Sequence, residues 1–428
     1  MFSQRPAPAV HHDAFGHAID PTVGYARGTL LRASEDESRR LAHCERLATV
    51  RWRAQGAAAV RIFTGNRRNY PVQASDLGSV CEEWLGPALA ADEFRNAALA
   101  HLGGGAAHGV GLLNRTSAGL IAAIHALCDG RPVVALSPAG GRAHASVARG
   151  AALAGVPLVE ATQDGPWQAQ LQGARPALVL MTPVTSNLDL IDDATLQQMI
   201  DGAHRAGAVA LVDDAYGARV RPVLLDGTPA LRLGADLVIT NGDKAGLHGP
   251  RAGLLAGRDA LVRRTMSRAS EWGLEARAPL FAGVLRALQA FAPEHLRSEA
   301  AHGAALRAAL VERLGDLAEP SLLGPILREE AVLGELAARA GRWPAIVPCE
   351  ATAALSVLLL RDHGIVTANT HGQPGASAAL RLKPVGTALA DAGGPGAVAQ
   401  AVADALDQLS AWVDQPRLIA GLLFGEAA

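Results

Sequence analysis

The sequence predicts an α/β fold: a three-layer domain around a mostly parallel sheet, followed by a smaller α+β C-terminal domain. Short apolar runs alternate with helical patterns between residues 110 and 257, as in βα units whose parallel sheet is covered on both faces. The predicted strands are 133–136, 156–159, 177–181, 208–212, 237–239 and 253–255. After residue 256 the pattern becomes mainly helical and then mixed, which is typical of a second domain.

Three segments are predicted along the chain. Ser34, followed by Glu37 three residues later, matches a capping box that opens a helix, so residues 1–75 are predicted to form an N-terminal arm and helix. The large domain is predicted to cover 76–280. The small domain is predicted to cover 281–428 and to close with a helix from about residue 395 to 413.

Composition excludes several classes of protein. The chain has 428 residues, 49% of them hydrophobic, which allows a large core. Its formal charge of -2 is spread without long runs, so the sequence has no electrostatic footprint for DNA or an anionic membrane, and a modest RNA-binding patch is the alternative. Cys44, Cys81, Cys128 and Cys349 stand far apart, which fits neither a disulfide framework nor a metal site. We therefore expect a cytoplasmic protein without a bound metal.

Two predicted strands end in residues that carry chemistry. One apolar strand runs into Asp213, with Tyr216 three residues later, and the next is followed by Lys244 and a glycine-rich run. Pyridoxal 5'-phosphate needs both features, since its aldehyde takes a lysine amine and its ring nitrogen needs an acidic partner. A solvated lysine and a solvated acidic turn are the alternatives.

The remaining parts of this cofactor also have candidate partners. Thr116 and Ser117 open an alanine-rich helix and could bind the phosphate at its N-terminus, although ordinary capping explains them equally well. Thr240, Asn241 and Arg251 are further phosphate candidates. His144 follows the strand at 133–136 and could stack on the ring, or it could be a plain surface residue.

Arg381 is the candidate for the substrate's α-carboxylate. It stands in an apolar run of the predicted small domain, and a planar guanidinium matches a carboxylate with two parallel hydrogen bonds. A strand arginine that faces solvent is the alternative.

These motifs resemble fold type I pyridoxal phosphate enzymes over residues 100–260. The run from Gly242 to Lys244, followed by Gly-Pro-Arg-Ala-Gly at 249–253, is most similar to the bacterial L-seryl-tRNA(Sec) selenium transferase group. The resemblance implies that Lys244 is the Schiff-base lysine, Asp213 the ring-nitrogen partner and Tyr216 a donor to the phenolic oxygen. It also implies that His144 stacks on the ring, that Thr116 and Ser117 bind the phosphate, and that the chain forms a homodimer or larger homo-oligomer.

Two departures from that group argue against a tRNA substrate. Asn241 stands where many of these enzymes have a serine, and the N-terminal segment does not match an RNA-binding domain. We therefore expect an amino acid substrate, with β-elimination or β-replacement favoured and transamination, decarboxylation or racemisation as alternatives. A protein that holds the cofactor for sensing is a further alternative. A nicotinamide-dependent dehydrogenase is disfavoured, because the glycines at 103–105 follow a helical stretch instead of a strand.

Overall fold

The chain divides into two compact units in this computed structural model, which describes residues 11–375 and 378–425. The first, called the sheet unit, comprises residues 65–303 and 321–323. The second, called the terminal unit, comprises residues up to 64, 304–320 and those from 324 onward. This division differs from the predicted one, because the segment before residue 65 groups with the C-terminal part of the chain. Residues 1–10 of the predicted arm lie outside the described residues.

One sheet of seven strands forms the centre of the sheet unit. Its strands are β1 (His108–Leu113), β2 (Val133–Ser137), β3 (Leu158–Thr162), β4 (Leu178–Met181), β5 (Val209–Asp213), β6 (Leu237–Asn241) and β7 (Gly253–Arg258). Their spatial order is β1-β7-β6-β5-β4-β2-β3. Strand β7 runs antiparallel to both of its neighbours, whereas the pairs from β6 to β3 are parallel. The mostly parallel sheet is confirmed.

Helices cover both faces of this sheet, because alternate strand residues point to opposite sides. Val134 and Leu136 of β2 belong to one buried cluster, and Val133 and Ala135 belong to another. The first cluster includes residues of helices Ala91–Leu102, Trp167–Ala174, Asp193–Arg205 and Ala278–Gln289. The second includes residues of Thr116–Leu127, Ala145–Ala154 and Asp259–Glu271. The predicted three layers are therefore confirmed. Helices Gly86–Leu89 and Gly217–Leu224 and the 3-10 turn Ala74–Asp76 also lie in this unit.

The terminal unit is α+β and has its own core, built largely on helix Pro348–His363. Its short strands pair as Ile19–Asp20 with Tyr25–Ala26, Arg61–Ile62 with Ile365–Val366, and Ile326–Leu327 with Leu380–Arg381. Its other helices and 3-10 turns are Ser34–Gln55, Ala57–Ala59, Gly315–Leu317, Glu329–Ala340, Ala368–His371, Ala388–Asp391, Pro395–Ser410 and Pro416–Phe424. Helix Pro293–Leu314 begins in the sheet unit and ends in the terminal unit. Among the described helices, none is both long and apolar enough to cross a membrane.

The predicted capping box at the first long helix is wrong. The helix begins at Ser34, but its N-cap is Ala33, and no side chain caps it. Glu37 is occupied elsewhere, since its carboxylate accepts hydrogen bonds from the Tyr25 hydroxyl at 3.0 Å and from Arg27 Nη1 at 2.8 Å. A buried carboxylate is more stable with such donors than exposed at a cap.

The glycine run at 103–105 follows a helix and precedes a strand, the reverse of the order around a dinucleotide-binding loop. Gly103 has φ 72° and ends helix Ala91–Leu102, and β1 begins at His108 after the run. A phosphate-binding glycine loop needs a strand before it and a helix after it.

Candidate active site

The sheet brings nine of the ten predicted site residues to one edge. Because β1, β2, β5 and β6 run in one direction, the segments that follow their carboxyl ends meet there, and β7 begins at the same edge. Ligands of open α/β sheets bind at such an edge. The nine residues are Thr116, Ser117, His144, Asp213, Tyr216, Thr240, Asn241, Lys244 and Arg251.

Asp213 is a buried carboxylate at the last position of β5. It is 3% exposed, and its Oδ1 has no hydrogen-bond partner among the described residues. The pKa of Asp213 is raised to about 7, chiefly by burial and in smaller part by the neighbouring Asp214. The charge of Lys244 and a hydrogen bond from the backbone N–H of Ala215 act in the opposite direction. The alternative of a solvated acidic turn is therefore wrong.

Asp214 serves a different purpose from Asp213. Its Oδ2 accepts a hydrogen bond from Arg221 Nη2 at 3.1 Å, and both side chains are almost fully buried. Arg221 also donates to Asp193 Oδ1 at 2.7 Å. A buried ion pair of this kind is costly to break by removing one partner. It ties helix Gly217–Leu224 to the end of β5, which fixes the backbone beside Asp213.

Lys244 lies half-buried in the loop between β6 and β7. Its Nζ lies 4.8 Å from the centre of the Tyr216 ring, within the range of a cation–π interaction. The next residue, Ala245, is fully buried and has φ 50°, a left-handed conformation that costs an alanine about 1 kcal/mol. Gly246 also has a positive φ and packs tightly on Leu296. The backbone after the lysine is therefore held in an unusual path by packing.

Thr240 and Asn241 have roles that the phosphate hypothesis did not include. Thr240 Oγ1 donates to the carbonyl of Asp214 at 2.9 Å. Asn241 Nδ2 donates to the carbonyl of Ala215 at 2.8 Å, and Arg219 Nη2 donates to Asn241 Oδ1 at 2.9 Å. These contacts join the ends of β5 and β6. They therefore hold Asp213 and the Lys244 loop in a fixed relation.

Arg219 is a site residue that sequence reasoning missed. It is 1% exposed, and its pKa is lowered to about 10, chiefly by burial. It donates to the carbonyl of Ala215 at 3.0 Å as well as to Asn241. The signal in the sequence was the pair Arg219 and Arg221 just after two acids, because buried charges require partners.

The helix that begins at Thr116 presents its N-terminus at this edge. Arg115 occupies the N-cap position, and Thr116 Oγ1 donates to the carbonyl of Thr240 at 3.3 Å. Ser117 is the second residue of the helix. Arg251 has no hydrogen bond to any described residue, and its pKa is lowered to about 10 by burial and then by Arg68 and Arg115. The edge thus combines a helix N-terminus with cationic side chains, a combination that favours anions.

His144 caps a second helix. Its Nδ1 accepts from the backbone N–H of Ser146 at 3.1 Å and lies 2.9 Å from Ser146 Oγ. The accepted N–H requires a lone pair on Nδ1, so the ring proton of the neutral imidazole sits on Nε2. These contacts fix the Nδ1 edge of the His144 ring. A cofactor ring would stack on the face of the imidazole, which the contacts do not use.

Arg381 belongs to the terminal unit, where it pairs with Ile326 in a short antiparallel ladder. It is 5% exposed, so the alternative of a solvent-facing strand arginine is wrong.

Comparisons with known proteins give a consistent set of relatives. A protein of Methanothermobacter thermautotrophicus called "UPF0425 pyridoxal phosphate-dependent protein" is 32% identical over 398 residues, covering 92% of this chain and 100% of the relative. Its namesake from Methanosphaera stadtmanae is 30% identical over 321 residues, covering 75% and 81%. A histidinol-phosphate aminotransferase of Acidovorax sp. is 30% identical over 230 residues, covering 52% and 60%. A scan against protein-family models found no match.

Proposed function

The chain belongs to the family of UPF0425 pyridoxal phosphate-dependent proteins, and we propose that it catalyses β-elimination or β-replacement on an amino acid through Lys244. Dependence on the cofactor follows from the family. The reaction, the substrate and the roles of individual residues are the proposal. The buried, unpartnered carboxylate oxygen of Asp213 is the observation that carries it.

The residues at the sheet edge fit pyridoxal phosphate. A buried polar atom without a partner costs about 1–3 kcal/mol, and a buried carboxylate costs more. Asp213 Oδ1 has this cost, which a protonated pyridine nitrogen would remove by donating a hydrogen bond and a positive charge. Such a partner would also return the pKa of Asp213 toward its ordinary value, so that the residue would stay ionised.

Each part of the edge has a distinct task in this proposal. When bound, the cofactor supplies an aldehyde that joins a lysine amine and a protonated ring that accepts the electrons left when a substrate proton is removed. Lys244 Nζ would hold the cofactor through its aldehyde, and the same amine, when free, would take the Cα proton of the substrate. Asp213 keeps the ring protonated, and His144 covers one face of the ring. Thr116, Ser117 and Arg251 bind the phosphate.

Thr240 and Asn241 act indirectly in this scheme, as positioning residues. Their side chains join the ends of β5 and β6, so they fix the distance between Asp213 and the Lys244 loop. Arg381 is proposed to bind the α-carboxylate of the substrate, since a buried guanidinium favours an anionic partner. We further propose a cytoplasmic homodimer or larger homo-oligomer that does not bind nucleic acid.

Transamination is the second candidate reaction. The similarity to a histidinol-phosphate aminotransferase over about half of the chain supports it, as does the spacing of Asp213 and Tyr216, which resembles that of aminotransferases. Elimination or replacement is favoured because the Gly-Asp-Lys and Gly-Pro-Arg-Ala-Gly motif is most similar to a group of enzymes that activate a serine side chain.

The cofactor part of the proposal is tested by reduction and mapping. The purified chain should absorb visible light, and borohydride should abolish this absorbance while attaching the cofactor to the peptide that contains Lys244. A Lys244→Ala protein should remain colourless, with Lys383→Ala, which removes a buried lysine of the terminal unit, as the control. Attachment to another lysine would refute the assignment.

The reaction is tested by identifying products. After incubation with single amino acids, β-elimination gives ammonia and a keto acid without an amino acceptor. Transamination gives a keto acid only when an acceptor keto acid takes the amino group. A strict requirement for the acceptor would refute elimination and support the second candidate.

A further inference from the structure

Thr182 is a buried threonine that directly follows β4, and the proposed function gives it no task. We infer that Thr182 is a positioning residue for Asp213: its hydroxyl donates a hydrogen bond to one bound water, and this water donates to Asp213 Oδ1. The inference rests on the proposed function only where it concerns the cofactor, because the effect of the hydroxyl on Asp213 is measured in the cofactor-free chain.

The strand register places Thr182 beside Asp213. Strands β4 and β5 are parallel, and Met181 of β4 lies opposite Val212 of β5. One residue further along both strands, Thr182 stands opposite Asp213. The backbone of Thr182 still belongs to the sheet, since its N–H donates to the carbonyl of Leu136 in β2 at 2.9 Å. The two polar residues therefore end adjacent strands at the same height.

Both side chains point to the same face of the sheet. Side chains alternate between the two faces along a strand, and the preceding residues, Met181 and Val212, belong to the same buried cluster. Thr182 and Asp213 therefore point to the opposite face, which the other cluster covers. The helix that His144 caps packs on that face.

Each of these two side chains has a buried oxygen atom without a hydrogen-bond partner in the part of the chain that the structure describes. The atoms are Thr182 Oγ1 and Asp213 Oδ1, and the two residues are 4% and 3% exposed. A buried hydroxyl or carboxylate without a partner is costly, and valine would fill the place of Thr182 with nearly the same shape. A hydroxyl at this place therefore points to a partner that the protein binds.

One water molecule satisfies both oxygen atoms. The atoms lie on neighbouring strands but do not bond each other, so a group between them is required. A hydroxyl can donate to the water oxygen, whereas an ionised carboxylate can only accept, which fixes the direction of both hydrogen bonds. Buried waters commonly bridge polar groups in this way. Because the bridge donates to the charged form of Asp213, it lowers the pKa of Asp213 relative to a chain without the hydroxyl.

The other ionisable groups around Asp213 are left in place by a substitution on β4. Asp214 raises the pKa of Asp213, and the charge of Lys244 lowers it. Strand β6 places Ile239, which does not ionise, opposite Asp213. On the covered face, the ring of His144 is held by its own helix cap. A change in the pKa of Asp213 that follows loss of the hydroxyl is therefore assigned to the bridge.

Thr182→Val tests the inference, because it removes the hydroxyl and keeps the shape of the side chain. Without the bridge the pKa of Asp213 rises, so the loss of stability with rising pH continues to a higher pH than in the unmodified chain. Urea denaturation of the cofactor-free full chain measures this. The pH at which the loss levels off should move upward by about one pH unit, the size expected for one hydrogen bond to a charged group.

Two further variants serve as controls. Thr182→Ser keeps the hydroxyl, so its loss of stability should level off at the same pH as in the unmodified chain. Thr162→Val is the matched control, since Thr162 ends β3 at the same edge of the sheet but lies opposite Ser137 of β2. It should also leave this pH unchanged.

A purely structural role for Thr182 gives a different result. Thr182→Val would then change stability by the same amount at every pH, and that outcome overturns the inference. A Thr182→Ser chain that behaves like Thr182→Val overturns it as well. A crystal structure of the unmodified cofactor-free chain gives a measurement that depends on no variant. It should show a water within hydrogen-bond distance of Thr182 Oγ1 and Asp213 Oδ1, and a structure without this water overturns the bridge.

Cofactor affinity separates this inference from the proposed function. Asp213 must be ionised to pair with the ring nitrogen, and with a pKa of about 7 about half of it is ionised at pH 7. A pKa about one unit higher leaves about a tenth ionised, so Thr182→Val should bind pyridoxal phosphate about five-fold more weakly at pH 7 and almost equally well at about pH 9. A shifted pH dependence of stability with unchanged cofactor affinity at pH 7 would support the bridge and overturn Asp213 as the ring-nitrogen partner.

Discussion

Replacing Asp213 with asparagine should stabilise the cofactor-free protein at neutral pH. In the folded chain the pKa of this carboxyl rises from 3.8 to about 7, mainly through burial. Above pH 4 the unfolded chain ionises while the folded chain remains protonated, so wild-type stability falls as the pH rises toward 7. Asparagine has almost the same shape and never ionises, so it does not suffer this loss.

The size of the effect follows from the two pKa values. Each pH unit between them changes the free energy of unfolding by about 1.4 kcal/mol, so the complete loss is at most about 4 kcal/mol. The advantage of Asp213→Asn should be close to zero at pH 4, grow between pH 4 and 7, and stay constant above pH 7. In the presence of cofactor the order should reverse, because the variant loses the ring-nitrogen partner.

Urea denaturation of the cofactor-free full chain, repeated at several pH values between about 4.5 and 8.5, measures the difference in free energy of unfolding between Asp213→Asn and the unmodified chain. Asp201→Asn is the control, since Asp201 is an exposed carboxylate whose replacement should give a small, pH-independent change. An advantage of Asp213→Asn that is the same at pH 5 and pH 8 would refute the reasoning, because it would show that ionisation of Asp213 does not limit stability.

Two other structural features give predictions that unfolding experiments check. Arg221→Met should lower the free energy of unfolding by about 3–5 kcal/mol, because it leaves the buried Asp214 carboxylate without its ion-pair partner. Adding Asp214→Asn to this variant should restore part of the lost stability. If the effects of the two substitutions simply add, the ion pair is contradicted. Gly253→Ala should destabilise by several kcal/mol (about 3 or more) through collision with the Arg115 backbone, whereas Gly173→Ala, at a helix position with open space, should stabilise by up to about 1 kcal/mol. Equal melting temperatures for these two alanine variants would show that the approach at Gly253 is not close.

The sheet could be predicted because its inner strands are buried on both faces. Such strands appear in the sequence as continuous apolar runs, and six of the seven were identified from them. The position of Asp213 and Lys244 at strand ends was predictable for the same reason, since polar residues that terminate an apolar run lie at an edge of the sheet. The antiparallel direction of β7 was not, because an apolar run carries no information about direction.

The contacts of polar side chains at the edge were harder to predict. Asn241 is satisfied by Arg219 and Ala215, and all three come together only when β5 and β6 are paired. Residue types do not show which donor faces which acceptor, so the sequence predicts Thr240 and Asn241 as phosphate ligands without indicating that their side chains also bond the end of β5. The capping box predicted at Ser34 is wrong for the same reason: the sequence does not show that Glu37 accepts hydrogen bonds from Tyr25 and from the backbone of Gly375.

The reversed direction of β7 has a consequence for how this protein can change during evolution. Because β6 and β7 are antiparallel neighbours, Lys244 stands in a hairpin that is closed at its base and crossed by the hydrogen bond from Gly249 to Gly242. An inserted or deleted residue there would shift the height of the lysine above the sheet. The loops that follow parallel strands lead into crossover helices and have no such closure. Variation in length, and with it new substrate preference, is therefore expected in those loops, while the length of the lysine hairpin stays constant among relatives.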